Sequence, residues 1–186
     1  MHTTTELAAE AMERGAPAAR VAHAALFQRI LRRIYAYFRR MTRDEHEADE
    51  CLQQTLLLLQ ESLTRKTYDP DRSFNTWMWL KARTVWAQWC RARERRPQEL
   101  PEAVRDPRDD VGDAGRRSDA AHVLEQVRAR LGDEAYEAFV LYYEGGLTQA
   151  EVAATLGRDR KTVRERLRAV HALIDELLER PPQGTL

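Results

Sequence analysis

Apolar residues recur every three or four positions along most of this chain, which is the periodicity of helices that bury one face. The first stripe follows Ala24, and a second begins beyond Thr42 or Asp44, either of which is suited to cap a helix. Another helix is predicted to start near Ser73, after a loop at 68–73 rich in turn-forming residues. The two stripes contain Leu26, Ile30, Ile34, Tyr37 and Phe38, then Leu52, Leu56, Leu59 and Leu63.

The second half of the chain repeats this helical pattern after an interruption. Residues 97–119 contain three prolines, two glycines and seven acidic residues against four arginines, which predicts a flexible acidic linker. No alternating pattern typical of strands persists on either side of it. The fold class is therefore predicted as all-α, with two helical domains joined by that linker. The later stripes contain Val123, Val127 and Leu131; Tyr136, Phe139, Val140 and Tyr143; and Val163, Leu167, Val170 and Ile174.

These breaks give the predicted domain boundaries. Residues 24–96 form the first helical domain and residues 120–180 the second, with 181–186 as a tail. Residues 1–23 are polar and alanine-rich, with Gly15 and Pro17 among them. We expect this segment to be a frayed lead-in.

The second domain carries the pattern of a helix-turn-helix. Thr148 and Glu151 have the spacing of a capping box, Gly157 suits the turn, and Asp159 can cap the following helix. In this motif the N-terminal part of the second helix enters the major groove, where arginine binds guanine edges or phosphate. The predicted duplex contacts are Arg158, Arg160, Lys161, Thr162, Arg164, Glu165 and Arg168.

Charge is strongly segregated, although the 186 residues carry a formal net charge of zero. Residues 44–50 contain five acids and no lysine or arginine, whereas residues 81–96 contain six basic residues and one acid. Residues 158–168 contain six basic residues and two acids. Local fields of this kind, rather than the total charge, decide which partner a surface attracts.

The basic segment at 81–96 is interleaved with tryptophans, a combination suited to a polyanion whose bases can be stacked or wedged apart. Each tryptophan taken alone is expected to pack in the core, and Trp79, Trp86 and Trp89 fall near one helical face. The predicted contacts with opened DNA are Trp77, Lys81, Arg83, Thr84, Gln88, Arg91, Arg93, Arg95 and Arg96.

Three stretches together resemble the extracytoplasmic-function (group IV, sigma-70 family) sigma factors of bacterial RNA polymerase. Residues 48–57, Ala-Asp-Glu-Cys-Leu-Gln-Gln-Thr-Leu-Leu, resemble the helix that binds the polymerase clamp. Residues 74–84, Phe-Asn-Thr-Trp-Met-Trp-Leu-Lys-Ala-Arg-Thr, resemble the stretch that reads and melts the −10 element. Residues 145–169 resemble the region that reads the −35 element, and the order of the three stretches also matches.

The resemblance implies a sigma factor that initiates transcription by recognising the −35 element and melting the −10 element. Core RNA polymerase and promoter DNA are the implied partners, and a cognate anti-sigma factor is a family expectation. The loop at 68–73 would belong to the segment that holds a flipped base. Thr84 replaces the usual asparagine, and Gln88 replaces an acid or amide. The implied polymerase contacts are Asp49, Glu50, Gln53 and Gln54.

Other chemistry has little support. The two cysteines and five histidines show no metal-site spacing, no catalytic triad and no phosphate loop, so neither an enzyme nor a cofactor is predicted. The N-terminus lacks the pattern of a signal peptide, and the aliphatic run at 56–59 is too short to span a bilayer. We expect a cytoplasmic protein without membrane insertion. Two alternatives remain: a free-standing helix-turn-helix regulator and a helical adaptor for acidic proteins.

Overall fold

The computed structural model describes residues 2–13, 17–42, 44–95 and 114–179. Within these ranges the chain forms eight helices and no strand, which confirms the predicted all-α class. Helices α1–α4 form what we call the first unit, and α5–α8 form the second unit. The helices are α1 Thr4–Ala11, α2 Pro17–Thr42, α3 Glu45–Thr64, α4 Phe74–Arg95, α5 Ala114–Leu131, α6 Asp133–Tyr143, α7 Gln149–Leu156 and α8 Arg160–Glu179.

The predicted apolar stripes form the core of the first unit. Helix α2 packs between α1 and α3, and α3 packs against α4. Leu26, Ile30 and Ile34 are completely buried. Trp79 is buried as well, with its ring edge-on to Tyr37 at 5.2 Å between centroids. Asp44 is the cap of α3, since its side chain accepts a hydrogen bond from the Glu47 amide at 2.8 Å.

The expectation of a frayed lead-in at residues 1–23 was wrong. Thr3 and Glu6 form a capping box at the start of α1, and Leu7 is only 6% exposed against the core. The Thr5 hydroxyl accepts a hydrogen bond from the Phe74 amide at 3.1 Å, so α1 is joined to the start of α4. Pro17 is the first residue of α2, where a proline amide would lack a helical partner in any case. Small buried alanines contribute much of this packing, and such residues add little to the apolar pattern of a sequence.

The second unit is a four-helix arrangement built around α8. Val163, Leu167 and Val170 are buried in α8, which contacts α5, α6 and α7. The predicted linker at 97–119 extends too far, because α5 already begins at Ala114. Gly115, one of the two glycines of the predicted linker, falls in the first turn of α5. The remainder of the predicted linker, 97–113, lies outside the described residues.

The predicted helix-turn-helix is present as α7 and α8. Glu151 accepts a hydrogen bond from the Thr148 amide at 2.9 Å and returns one from its own amide to the Thr148 hydroxyl at 3.3 Å. Gly157 has the left-handed φ of 63° that the turn requires. Asp159 accepts hydrogen bonds from the amide and hydroxyl of Thr162, and these bonds lower the pKa of the Asp159 carboxyl.

The capping box leads to a first prediction. We expect Thr148→Ala to lower the free energy of unfolding by about 1 kcal/mol, because the Glu151 amide loses its acceptor. Urea unfolding followed by circular dichroism measures this change. The matched control is Thr148→Ser, which keeps the hydroxyl and should stay within a few tenths of a kcal/mol of the original chain. Equal losses in the two variants would show that the methyl group, rather than the cap, is responsible.

None of the helices in residues 2–13, 17–42, 44–95 and 114–179 has the length and apolar character needed to cross a membrane. The same residues contain no group of three histidine, cysteine, aspartate or glutamate side chains placed to hold a metal ion.

Candidate nucleic-acid and polymerase interface

Helix α4 separates its side chains into a buried face and a basic face. Met78, Ala82 and Val85 are buried against the first unit. Six of the predicted DNA contacts follow one another at intervals of three or four residues on another side of the helix, and all six are exposed or half-buried. We call this surface the α4 face; it consists of Trp77, Lys81, Thr84, Gln88, Arg91 and Arg95.

Trp77 lies at the N-terminal end of the α4 face and is held by aromatic neighbours. Its ring centroid is 4.9 Å from that of Tyr68 and 5.6 Å from that of Phe74. The Lys81 ammonium lies 5.4 Å from the centre of the Trp77 ring, which is a cation–π contact. Tyr68 is buried and its hydroxyl donates to the Arg72 carbonyl, so the 68–73 loop is anchored beside Trp77.

The C-terminal half of α4 joins the basic surface to α3. The half-buried rings of Trp86 and Trp89 stack at 5.1 Å with an angle of 9° between them. Arg93 lies off the α4 face, with its guanidinium 5.1 Å from the Trp89 ring and 3.6 Å from the Glu47 carboxylate. Arg96, another predicted contact, lies outside the described residues. A shallow groove between the helices is lined in part by Glu50, Gln54, Gln88 and Trp89.

The predicted polymerase contacts form one exposed ridge on α3. Asp49, Glu50, Gln53 and Gln54 all face solvent, and the Gln54 amide donates to Glu50 at 3.3 Å. Leu57 is 66% exposed one turn beyond Gln53, and it was not among the predicted contacts. The signal was present in the sequence, since four consecutive leucines at 56–59 cannot all face the core of one helix.

Helix α8 presents the predicted duplex-reading surface. Arg160, Arg164 and Arg168 follow at intervals of four residues and are exposed, with Lys161 beside them. The Lys161 ammonium lies 3.9 Å from the Glu165 carboxylate, and Thr162 forms the helix cap with Asp159. Arg158 instead pairs with Glu134 of α6, as does Arg166. Hydrogen bonds from Arg158 and the charge of Arg166 lower the pKa of the Glu134 carboxyl.

Arg83 is separated from the other predicted contacts with opened DNA. It points from α4 towards the second unit, where its Nε lies 2.8 Å from Glu137 Oε1. Its Nη1 donates to the Thr155 carbonyl at 2.6 Å. Burial by itself lowers the pKa of Arg83, but the hydrogen bonds and charge of Glu137 outweigh it and raise that pKa. The guanidinium is thus already occupied by partners within the chain.

The basic α4 face lies within a segment that is similar to a known protein family. Residues 26–96 match the family model described as Sigma-70 region 2. Over this segment the chain resembles sigma-70 proteins.

Solved structures resemble this chain over most of its length. One is CnrH in complex with the cytosolic domain of CnrY, with 23% identity, 95% of this chain and 97% of that chain covered, and a TM-score of 0.68. Another is the sigma factor RpoE in complex with the anti-sigma factor NepR from Bartonella quintana, with 17% identity, 84% and 96% coverage and a TM-score of 0.64. This likeness shows that the chain shares the all-helical fold of these structures.

Proposed function

We propose that this chain is a sigma factor that directs bacterial RNA polymerase to promoters, and that the three surfaces described above divide this work. The α3 ridge docks on the core polymerase, the α4 face captures the opened −10 strand, and the exposed arginines of α8 read the −35 duplex. The observation that carries this proposal is the separation of an acidic ridge on α3 from basic, exposed faces on α4 and α8. Basic surfaces bind phosphate, whereas a mixed acidic and apolar ridge suits a basic protein surface.

Strand opening by this sigma factor would not require a reaction catalysed by the chain itself. Stacking one base on an aromatic side chain is worth roughly 1–3 kcal/mol, which is comparable to the few kcal/mol that unstacking a base step costs. Trp77 is the aromatic of the α4 face, beside Lys81 and the anchored loop at 68–73. Capture of a base there would offset part of the cost of opening the duplex. RNA synthesis itself would be catalysed by the polymerase.

The docking assignment leads to a second prediction. We expect Glu50→Ala combined with Gln53→Ala to weaken binding to core polymerase by about tenfold or more, because two exposed polar partners of the ridge are lost. Leu57→Ala should add to the loss, since its exposed side chain extends the ridge. Titration of fluorescently labelled chain with core polymerase measures the dissociation constant.

The matched control for docking removes two acids from the second unit, Asp175→Ala with Glu179→Ala. Both residues are exposed near the end of α8 and lie outside the proposed contacts. The control should bind core polymerase like the original chain. An unchanged dissociation constant in the ridge variant would contradict docking through α3.

We also propose that an anti-sigma protein regulates this chain. The support is that CnrH was solved with the cytosolic domain of CnrY, and RpoE with the anti-sigma factor NepR. A regulator of this class would have to compete with core polymerase for the chain. A competition experiment, in which a candidate anti-sigma protein and core polymerase bind the labelled chain, tests this point. Simultaneous binding of the two proteins to the chain would contradict it.

A further inference from the structure

The loop at 68–73 is attached to the first unit at a single side chain. Of the described residues 64–73, only Tyr68 is buried. Its ring packs edge-on against Phe74, the first residue of α4, with 5.3 Å between the ring centroids. Trp77 lies against both of these rings. The position of Trp77, the proposed base-stacking residue, therefore depends on where Tyr68 and Phe74 are held.

Thr5 of α1 makes hydrogen bonds with both of these aromatic residues. Its hydroxyl oxygen accepts a hydrogen bond from the Phe74 amide at 3.1 Å. Burial raises the pKa of the Tyr68 phenol, and a hydrogen bond from the Thr5 side chain partly offsets that rise. The Tyr68 hydroxyl in turn donates to the Arg72 carbonyl. One threonine hydroxyl thus joins the loop to the start of α4.

The bond to Thr5 also completes the N-terminus of α4. The first amides of a helix have no partner within the helix itself. The Ser73 hydroxyl accepts a hydrogen bond from the Thr76 amide at 3.4 Å, whereas the Phe74 amide donates to Thr5. The turn that leads into Trp77 is therefore capped partly by its own segment and partly by α1.

Helix α1 is itself fixed to the first unit, although it lies outside residues 26–96, which match Sigma-70 region 2. A capping box begins the helix, and Leu7 and Ala8 are buried in the core. Arg29 of α2 donates to the His2 carbonyl at 2.5 Å. Thr5 falls between these attachments, so its hydroxyl provides a fixed point. A loop without such a point would have to be ordered when DNA binds, which costs conformational entropy.

We propose that Thr5 is a positioning residue for capture of the opened −10 strand, because its hydroxyl holds the loop at 68–73 and the start of α4 around Trp77 before DNA binds. This inference rests on the proposed function of the α4 face. Thr5 itself does not contact the strand; it acts through Tyr68 and Phe74. A surface arranged in advance binds more tightly because less of it must be ordered on binding.

The test compares three variants, each assembled with core polymerase, on a promoter fragment whose −10 strand is unpaired. Thr5→Val keeps the shape of the side chain and removes its hydroxyl, so we expect binding of the fragment to weaken about fivefold, as for the loss of one hydrogen bond. Thr5→Ser keeps the hydroxyl, and Thr4→Val makes the same exchange one residue earlier. Both controls should bind the fragment like the original chain.

An abasic scan separates positioning from a general loss of stability. Each nucleotide of the unpaired −10 strand lacks its base in turn, and binding is compared with that of the complete strand. With the original chain, we expect one position to weaken binding about tenfold or more, since stacking of that base is lost. Thr5→Val should reduce this penalty at least about threefold and leave the penalties at other positions unchanged. A merely structural role would weaken binding of every strand by the same factor.

Hydrogen exchange of the free full-length chain gives a second readout that requires no DNA. We expect Thr5→Val to speed exchange at the Phe74 amide and in the loop at least about threefold, with the amides of α8 unchanged. Circular dichroism establishes whether the variant remains helical. If it does not fold, Tyr68→Phe breaks the same series of hydrogen bonds from the loop and should reduce the same abasic penalty.

The outcomes distinguish the role of Thr5 from the proposed function of the α4 face. An equal abasic penalty in the original chain and in the folded variants would overturn the role of Thr5 alone. An original chain without a penalty at any position would contradict base capture by the α4 face, and the role of Thr5 would fall with it.

Discussion

Transcription from a promoter that depends on its upstream element should fall at least about 30-fold when Arg164 and Arg168 are both replaced by glutamate. These side chains are exposed one turn apart on α8. Losing a phosphate or base contact costs about 1–3 kcal/mol, so two contacts account for about 2–6 kcal/mol. Each tenfold change corresponds to about 1.4 kcal/mol. Repulsion between the new carboxylates and the DNA would increase the loss.

Run-off transcription with saturating core polymerase measures this effect separately from assembly. Arg20→Glu with Arg32→Glu is the matched control, because it changes the total charge equally through exposed residues of α2. We expect the control to retain most of its transcription. The α8 variant should bind core polymerase normally, and a parallel loss of polymerase binding would contradict an assignment of α8 to DNA alone.

The second large effect is expected on the α4 face. Lys81→Glu with Arg91→Glu reverses two charges on the proposed path of the opened strand, so we expect strand opening to fall at least about 30-fold, on the same estimate of 1–3 kcal/mol per contact. Permanganate oxidation of unpaired thymines at the −10 element reports opening directly. Lys81 also supports Trp77 through its cation–π contact, which the substitution removes.

A double charge reversal outside α4 gives this prediction its control. Lys66→Glu with Arg65→Glu also reverses two exposed charges of the first unit, but these residues follow the C-terminal end of α3 and do not belong to the α4 face. That variant should open the promoter nearly as well as the original chain. If the two variants opened the −10 element equally poorly, total charge rather than the α4 face would be responsible.

The helix-turn-helix was predicted in detail because its signals are local. A capping box, a left-handed glycine and an N-terminal aspartate depend on residues within four positions of one another, and all three occur in α7 and α8 as the sequence indicated. The large apolar residues of α2 and α4 were equally informative, since their spacing alone identifies the buried face. Segments with such signals could be assigned without tertiary information.

Features that depend on tertiary contacts were missed. Helix α1 packs through Leu7 and Ala8, too little apolar surface to stand out in a polar segment. The pairing of Arg83 with Glu137 joins residues 54 positions apart, and no local sequence pattern identifies that partner. Helical spacing alone places Arg83 off the face that carries Lys81 and Thr84, but its partner Glu137 is identified only by the structure.

The most direct test of the account is run-off transcription reconstituted from purified components. Core polymerase supplied with this chain and a promoter mapped after its overexpression should produce a discrete transcript, which core polymerase alone should not. The transcript should disappear with the α8 and α4 variants and weaken with the α3 ridge variant. Core polymerase that neither binds the chain nor changes its start sites in its presence would contradict the account.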